Sequence, residues 1–243
     1  MRTKTELQYK KDILEVCKRI YSKGYVAAND GNVSIKLPDG NFLTTHTGRS
    51  KGFLTLDEIV KVSPDGKPIS KGKPSTEVEM HLGIYKERPD VNAIVHAHPV
   101  FATSFALARI PLDQCTIPEI VTTLGAVPLA DYSTPSTQEV SDSLKEPIGK
   151  ADAVLLANHG VVCAGFDVFD AYFKLERVEH FAQITFYSKM LGGEKLLTCG
   201  EVGKLRDIQG KYGVIGKTNE CIPAQNPTKS HSQALKKAIN ELC

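Results

Sequence analysis

The sequence predicts a mixed α/β fold with substantial antiparallel pairing, and three observations lead to it. Short segments with strand patterning follow one another through tight turns, as in VSIKL (33–37), Pro38-Asp39-Gly40 and FLTTH (42–46). Apolar runs rich in β-branched residues, VNAIVHAH (91–98), ADAVLLANHG (151–160) and VVCAG (161–165), read as further strands. Amphipathic stretches over about 5–23 and 167–190 supply long helices. Strands are joined to strands as often as to helices, which implies antiparallel neighbours in the sheet.

Taken in order, the first helix (about 5–23) turns Leu7, Ile13, Leu14, Cys17 and Ile20 inward. Pro38-Asp39-Gly40 then closes a hairpin between the first two strands. A helix over about 75–88 is entered through Lys73-Pro74-Ser75-Thr76, and Thr76 with Glu79 has capping-box spacing. VNAIVHAH is the next strand, 99–108 a helix, and VTTLGAVPLA (121–130) strand again. Residues 136–150 read as helix, ahead of the last two strands and the helix over 167–190. From Lys195 onward Gly, Pro, Asn, Lys and Thr thicken, giving a C-terminal tail that is either a surface arm or partly ordered.

Bulk properties exclude several classes. A formal charge of +2 gives no electrostatic case for nucleic acid or a membrane surface as partner. No apolar run approaches the ~20 residues that span a bilayer. The first twenty residues alternate charge with apolar side chains and lack the core of a secretory signal. The cysteines at 17, 115, 163, 199, 221 and 243 form no C-x-x-C pair, so reduced thiols in a cytoplasmic protein are expected.

The chemistry concentrates in histidines. His96 and His98 lie two apart on a predicted strand, so both rings leave one face, roughly 6.6 Å apart at ~3.3 Å per residue. Two imidazoles at that spacing can converge on one ion at about 2.0–2.1 Å. His159, in Ala157-Asn158-His159-Gly160, sits at another predicted strand end and is the candidate third ligand. Three histidines with an open position suit a catalytic zinc rather than a structural one. Spacing alone leaves open an ordinary hydrogen-bonded pair of core histidines. His46 in a turn, His81 and His180 on helices and His231 in the tail are weaker ligand candidates by position.

Three other segments have the chemistry of an anion cradle. Asn29-Asp30-Gly31-Asn32 is a tight turn with backbone amides and an amide side chain, and Thr45-His46-Thr47-Gly48-Arg49 adds a hydroxyl and a cation. Pro74-Ser75-Thr76 opens a helix, where free N–H groups favour an anion. Glu77 follows directly. Its ordinary role is to complement the helix dipole, but a carboxylate beside a metal-bound substrate is also a general base.

Together GNVS (31–34), THTG (45–48), PSTE (74–77), HAHP (96–99) and NHG (158–160), in this order, resemble the class II aldolase/adducin family and its fuculose-phosphate aldolase branch. The resemblance covers about 7–192, with 195–243 as a tail on a single domain spanning 1–243. It implies a three-layer αβα sandwich around a mainly antiparallel sheet, and a homotetramer with active sites at subunit interfaces. By position it makes His96, His98 and His159 ligands of one Zn2+ per subunit. It makes Asn32, Thr47, Gly48, Ser75 and Thr76 the phosphate-binding residues, and Glu77 the catalytic carboxylate. The implied reaction cleaves a ketose 1-phosphate, of the L-fuculose or 5-deoxyketose type, to dihydroxyacetone phosphate and a short aldehyde.

The pattern departs in one place. The aldolase branch has a tyrosine, donated by a neighbouring subunit, where this chain reads Cys115-Thr116-Ile117-Pro118-Glu119-Ile120-Val121. A glutamate there resembles the methylthioribulose-phosphate dehydratase branch, which makes Glu119 a second candidate acid/base, with Tyr132 and Tyr212 as alternatives. A dehydratase, decarboxylase or epimerase of a sugar phosphate is the alternative activity. Pro99 and Glu77 differ from the epimerase branch, and the retained histidines differ from non-catalytic adducin-like members.

Overall fold

The computed structural model describes residues 4–212 and 216–224. His231 and Cys243 lie outside these residues. Helix α1 (Glu6–Ser22) opens with a capping box between Thr5 and Gln8 and buries Ile13, Val16, Cys17 and Ile20. Leu7, expected inward, is half exposed in the first turn, ahead of the buried stretch that begins at Ile13. Strands β1 (Asn32–Lys36) and β2 (Phe42–Thr45) form the expected hairpin, with Gly40 at φ +84° in its turn.

Strand β3 (Ile59–Val62), not anticipated from the sequence, adds to β2. Helix α2 (Val78–Glu87) starts later than predicted. Glu77 takes the N-cap position without a side-chain cap bond, so the Thr76–Glu79 capping box does not form. Strand β4 (Ala93–Ala97) and helix α3 (Val100–Ala108) match the sequence pattern. Of residues 121–130, expected as strand, 121–123 belong to helix α4 (Pro118–Thr123) and only β5 (Leu129–Ala130) is a strand. Proline at the first helical position and the inward packing of Ile120 and Val121 outweigh the β-branched composition.

Helix α5 (Gln138–Lys150), strands β6 (Ala153–Leu156) and β7 (Gly160–Gly165) and helix α6 (Val168–Met190) follow as expected. The strand order is β3-β2-β1-β4-β7-β6-β5. All neighbours are antiparallel except the edge pair β5–β6, which is parallel, so the sheet is mixed. One core packs α1, α3 and α6 on Val33, Val95 and Val161; the other packs α2 and α5 on Ile94, Val154 and Val162. Period-two alternation thus produces a three-layer αβα arrangement with the sheet in the middle.

The tail is partly helical: α7 (Cys199–Ile208) is capped by Thr198 and Glu201. It packs with α4 in a small separate cluster of Cys115, Val121, Ala126, Val202 and Cys221. Within it Cys115 and Cys221 are disulfide-bonded, which corrects the expectation that all thiols are reduced; Cys17, Cys163 and Cys199 are free. Among the described residues no helix is long and apolar enough to cross a membrane.

Candidate metal centre and active site

The register of three strands assembles the centre. Asn32 on β1 is paired with His96 on β4, and Ala97 on β4 with Val161 on β7. His96 shares the face of Ile94, toward α2, and is fully buried. Its Nδ1 lies 2.9 Å from the Val161 carbonyl, which can only accept, so the ring hydrogen sits there and Nε2 keeps its lone pair. His98 leaves the end of the strand, held by its backbone N–H on the Tyr25 carbonyl at 2.9 Å. His159 occupies the tight β6–β7 turn behind Asn158, which adopts φ +57° and accepts a bond from Arg109 Nη2.

Ligand atoms of His96, His98 and His159 all lie within 4.8 Å of one another. The turn is that close because residue 160 is glycine: a Cβ there would come within 2.6 Å of His98 Cδ2 and the Ala97 carbonyl. Burial pushes the His96 pKa well below the usual histidine value, helped by His159 and His98. Burial also lowers that of His159, against the pull of Glu77. Both shifts favour neutral imidazole, the form that ligates a metal.

Glu77 faces this cluster. Its Oε2 is 3.4 Å from His96 Nε2 and its Oε1 3.5 Å from His159 Nε2. Oε2 accepts a 2.7 Å hydrogen bond from Asn32 Nδ2, whereas Oε1 is buried with no partner. The backbone at Glu77 (φ −101°, ψ 17°) sits in the sparsely populated bridge region, and its N–H donates to Ser75 Oγ at 3.2 Å. A buried carboxylate oxygen without a donor, facing the imidazoles of His96 and His159, fits a site built for a cation and a substrate.

The three anion-binding segments also meet. Ser75 N–H donates to the Thr45 carbonyl at 3.0 Å, and Thr47 N–H to the Lys73 carbonyl at 3.1 Å. Thr45 Oγ1 accepts from Val33 N–H at 3.3 Å, tying this loop to the strand that carries Asn32. Arg49, expected as the nearby cation, is instead paired with Glu58 at 2.8 Å.

Two nearby groups were not singled out by sequence pattern: Asp30, 3.7 Å from His98 Nδ1, and buried Lys51. Glu119 is not brought to the histidines. It is exposed on α4, whose Ile120 packs with α1, α3 and α6, and it lines a cavity of about 1040 Å³ with Lys23, Tyr25, Phe101 and His180. Tyr132 is exposed, and Tyr212 ends a short 3₁₀ turn in the tail.

Residues 11–186 match the sequence profile described as Class II Aldolase and Adducin N-terminal domain. The chain is 34% identical over 210 residues to the 3-oxo-tetronate 4-phosphate decarboxylase of Escherichia coli K12, covering 84% of this chain and 97% of that protein. It is 36% identical over 182 residues to the L-fuculose phosphate aldolase of Methanocaldococcus jannaschii, covering 75% and 98%. Among solved structures, Escherichia coli YgbL superposes with a TM-score of 0.77 at 32% identity, covering 84% of this chain and all of that one. An L-fuculose 1-phosphate aldolase superposes with a TM-score of 0.78 at 26% identity, covering 87% and 98%.

Proposed function

The chain belongs to the class II aldolase and adducin family, and on that premise we propose that it is a zinc-dependent lyase that breaks a carbon–carbon bond in a small phosphorylated sugar. The observation that carries this reading is Glu77, wedged 3.4 and 3.5 Å from His96 and His159 with one oxygen free. His96, His98 and His159 would hold the zinc, which when bound supplies Lewis-acid polarisation of the substrate carbonyl. Asn32, Thr47, Gly48, Ser75 and Thr76 would hold the phosphate and so fix the reacting carbon beside Glu77.

In aldol cleavage of a ketose 1-phosphate, the bond between the carbon next to the carbonyl and the hydroxyl-bearing carbon breaks. The electron pair stays on the first carbon, and Glu77 delivers a proton to it, giving dihydroxyacetone phosphate. The second carbon leaves as a short aldehyde once a base has taken its hydroxyl proton. Glu119 is the candidate base. Its exposed place on the far side of the sheet from Glu77 is compatible with service to the site of a neighbouring copy in a homotetramer with sites at subunit interfaces.

A second activity has its own support. A 3-oxo-tetronate 4-phosphate carries its carboxylate on the carbon next to the ketone, and loss of carbon dioxide leaves the electron pair on that carbon. Protonation then needs only Glu77, and no second acid/base. The lack of a tyrosine in 115–121 and the 34% identity to a decarboxylase over 84% of the chain favour this variant.

Both reactions release dihydroxyacetone phosphate, so the co-product separates them. The test supplies zinc-loaded protein with ketose 1-phosphates and with 3-oxo-tetronate 4-phosphate, detecting dihydroxyacetone phosphate with glycerol-phosphate dehydrogenase. An aldehyde identifies the aldolase and carbon dioxide the decarboxylase. No dihydroxyacetone phosphate from any of them would sink the reading.

A further inference from the structure

Lys51 is 2% exposed, yet among the described residues no carboxylate pairs with its ammonium. Its Nζ donates to two backbone carbonyls, Asn29 O at 2.8 Å and Arg49 O at 2.7 Å. The nearest acids are otherwise engaged: Asp30 faces His98, and Glu77 faces His96 and Asn32. A buried charge is ordinarily neutralised by a partner, because leaving it alone forfeits its hydration without return. Burial lowers the Lys51 pKa, as expected for an ammonium lacking a full countercharge.

The two carbonyls identify where the countercharge belongs. Asn29 lies in the loop that leads into Asn32, and Arg49 lies in the loop that carries Thr47 and Gly48. Lys51 therefore sits where two arms of the anion cradle join. An ammonium has three donors, and the carbonyls take two. Arg49, the other cation of this loop, is held by Glu58.

We propose that Lys51 is the cation of the phosphate subsite: it locks the two loops together, and the phosphate of the bound substrate supplies its missing countercharge. This rests on the phosphorylated-sugar reading above and adds a selectivity to it. A sugar without its phosphate leaves the ammonium uncompensated, so the site discriminates against it through charge and not only through lost hydrogen bonds.

The test titrates inorganic phosphate into zinc-loaded wild type and K51M, with circular dichroism and zinc content measured on both and binding followed by calorimetry. Wild type is expected to bind phosphate and K51M to bind it at least about tenfold more weakly, the scale of a lost charged hydrogen bond. KM for the phosphorylated substrate should rise by a similar factor, with a smaller change in kcat and unchanged zinc content. Equal phosphate affinity in the two proteins overturns the role of Lys51, while lyase activity of wild type keeps the underlying reading intact. Absence of phosphate binding by wild type also overturns the role of Lys51, and only absence of lyase activity overturns the underlying reading. If K51M does not fold, wild type with 15N-labelled lysine decides the question. The Lys51 ammonium resonance must shift on adding phosphate, and an unmoved resonance refutes the proposal.

Discussion

Asn32 donates from Nδ2 to Glu77 Oε2 at 2.7 Å, and Asn32 is also the register partner of His96 across β1–β4. One amide thus ties Glu77, at the N-cap of α2, to β1, whose neighbour β4 carries His96. Asn32, proposed above to help hold the phosphate, therefore also positions Glu77 through its amide. Replacing Asn32 with Ala should leave that carboxylate free to turn and lower kcat by about 10- to 100-fold, because misplacement by about 1 Å costs on the order of 100-fold. Steady-state kinetics with zinc content held equal will check this. A rise in KM alone would confine Asn32 to the phosphate and refute its role in holding Glu77.

Glu77→Gln keeps the shape and the Asn32 contact but removes the proton-carrying oxygen. Activity should fall by about 10²- to 10⁴-fold, the usual contribution of a general acid or base, with metal still bound. Full activity in this variant would mean that the proton moves elsewhere.

Acid should destabilise the fold through His81. This ring is fully buried on α2, with Nδ1 2.6 Å from Ser34 Oγ, and Ser34 also contacts Tyr85 OH. Burial lowers its pKa from 6.5 to about 4. The unfolded chain therefore binds a proton below pH 6.5 that the folded chain refuses until about pH 4. Stability contributed by the neutral ring is present above pH 6.5 and declines as pH falls through that window, by at most about 1.4 kcal/mol per pH unit. Denaturant melts of metal-free wild type and His81→Gln across this range will show a shallower acid slope in the variant. Identical slopes would refute the assignment.

The tail should be clasped in oxidised protein. Cys115 and Cys221 are 106 residues apart and join the segment before α4 to the chain after α7. Thiol titration of unfolded protein should find two fewer thiols before reduction than after it. Hydrogen exchange should then show reduction or Cys221→Ser loosening 197–212, with the sheet unaffected. Uniform loosening, or full thiol reactivity without reductant, would contradict the clasp.

Much of this was legible because it is local. The 38–41 turn, the β4 run and the face of α6 each follow from neighbours within a few residues. Helix α4 was misread because Val121, Thr122 and Thr123 carry strand composition, while packing of Ile120 and Leu124 against the α1–α3–α6 core decides the outcome. The histidine set needed pattern across the whole chain, since His159 joins His96 only through β4–β7 pairing. Lys51 left no sequence signal, because its partners are backbone carbonyls and one lies 22 residues away. The disulfide was equally hidden by its long span.

The central claim is that His96, His98 and His159 hold a zinc on which the activity depends. Elemental analysis of purified wild type and of the H96A/H98A/H159A variant, both shown to be folded, tests it most directly. About one zinc per chain in wild type and none in the variant is the expected result. Equal zinc in the two proteins, or lyase activity retained by the variant, would contradict it.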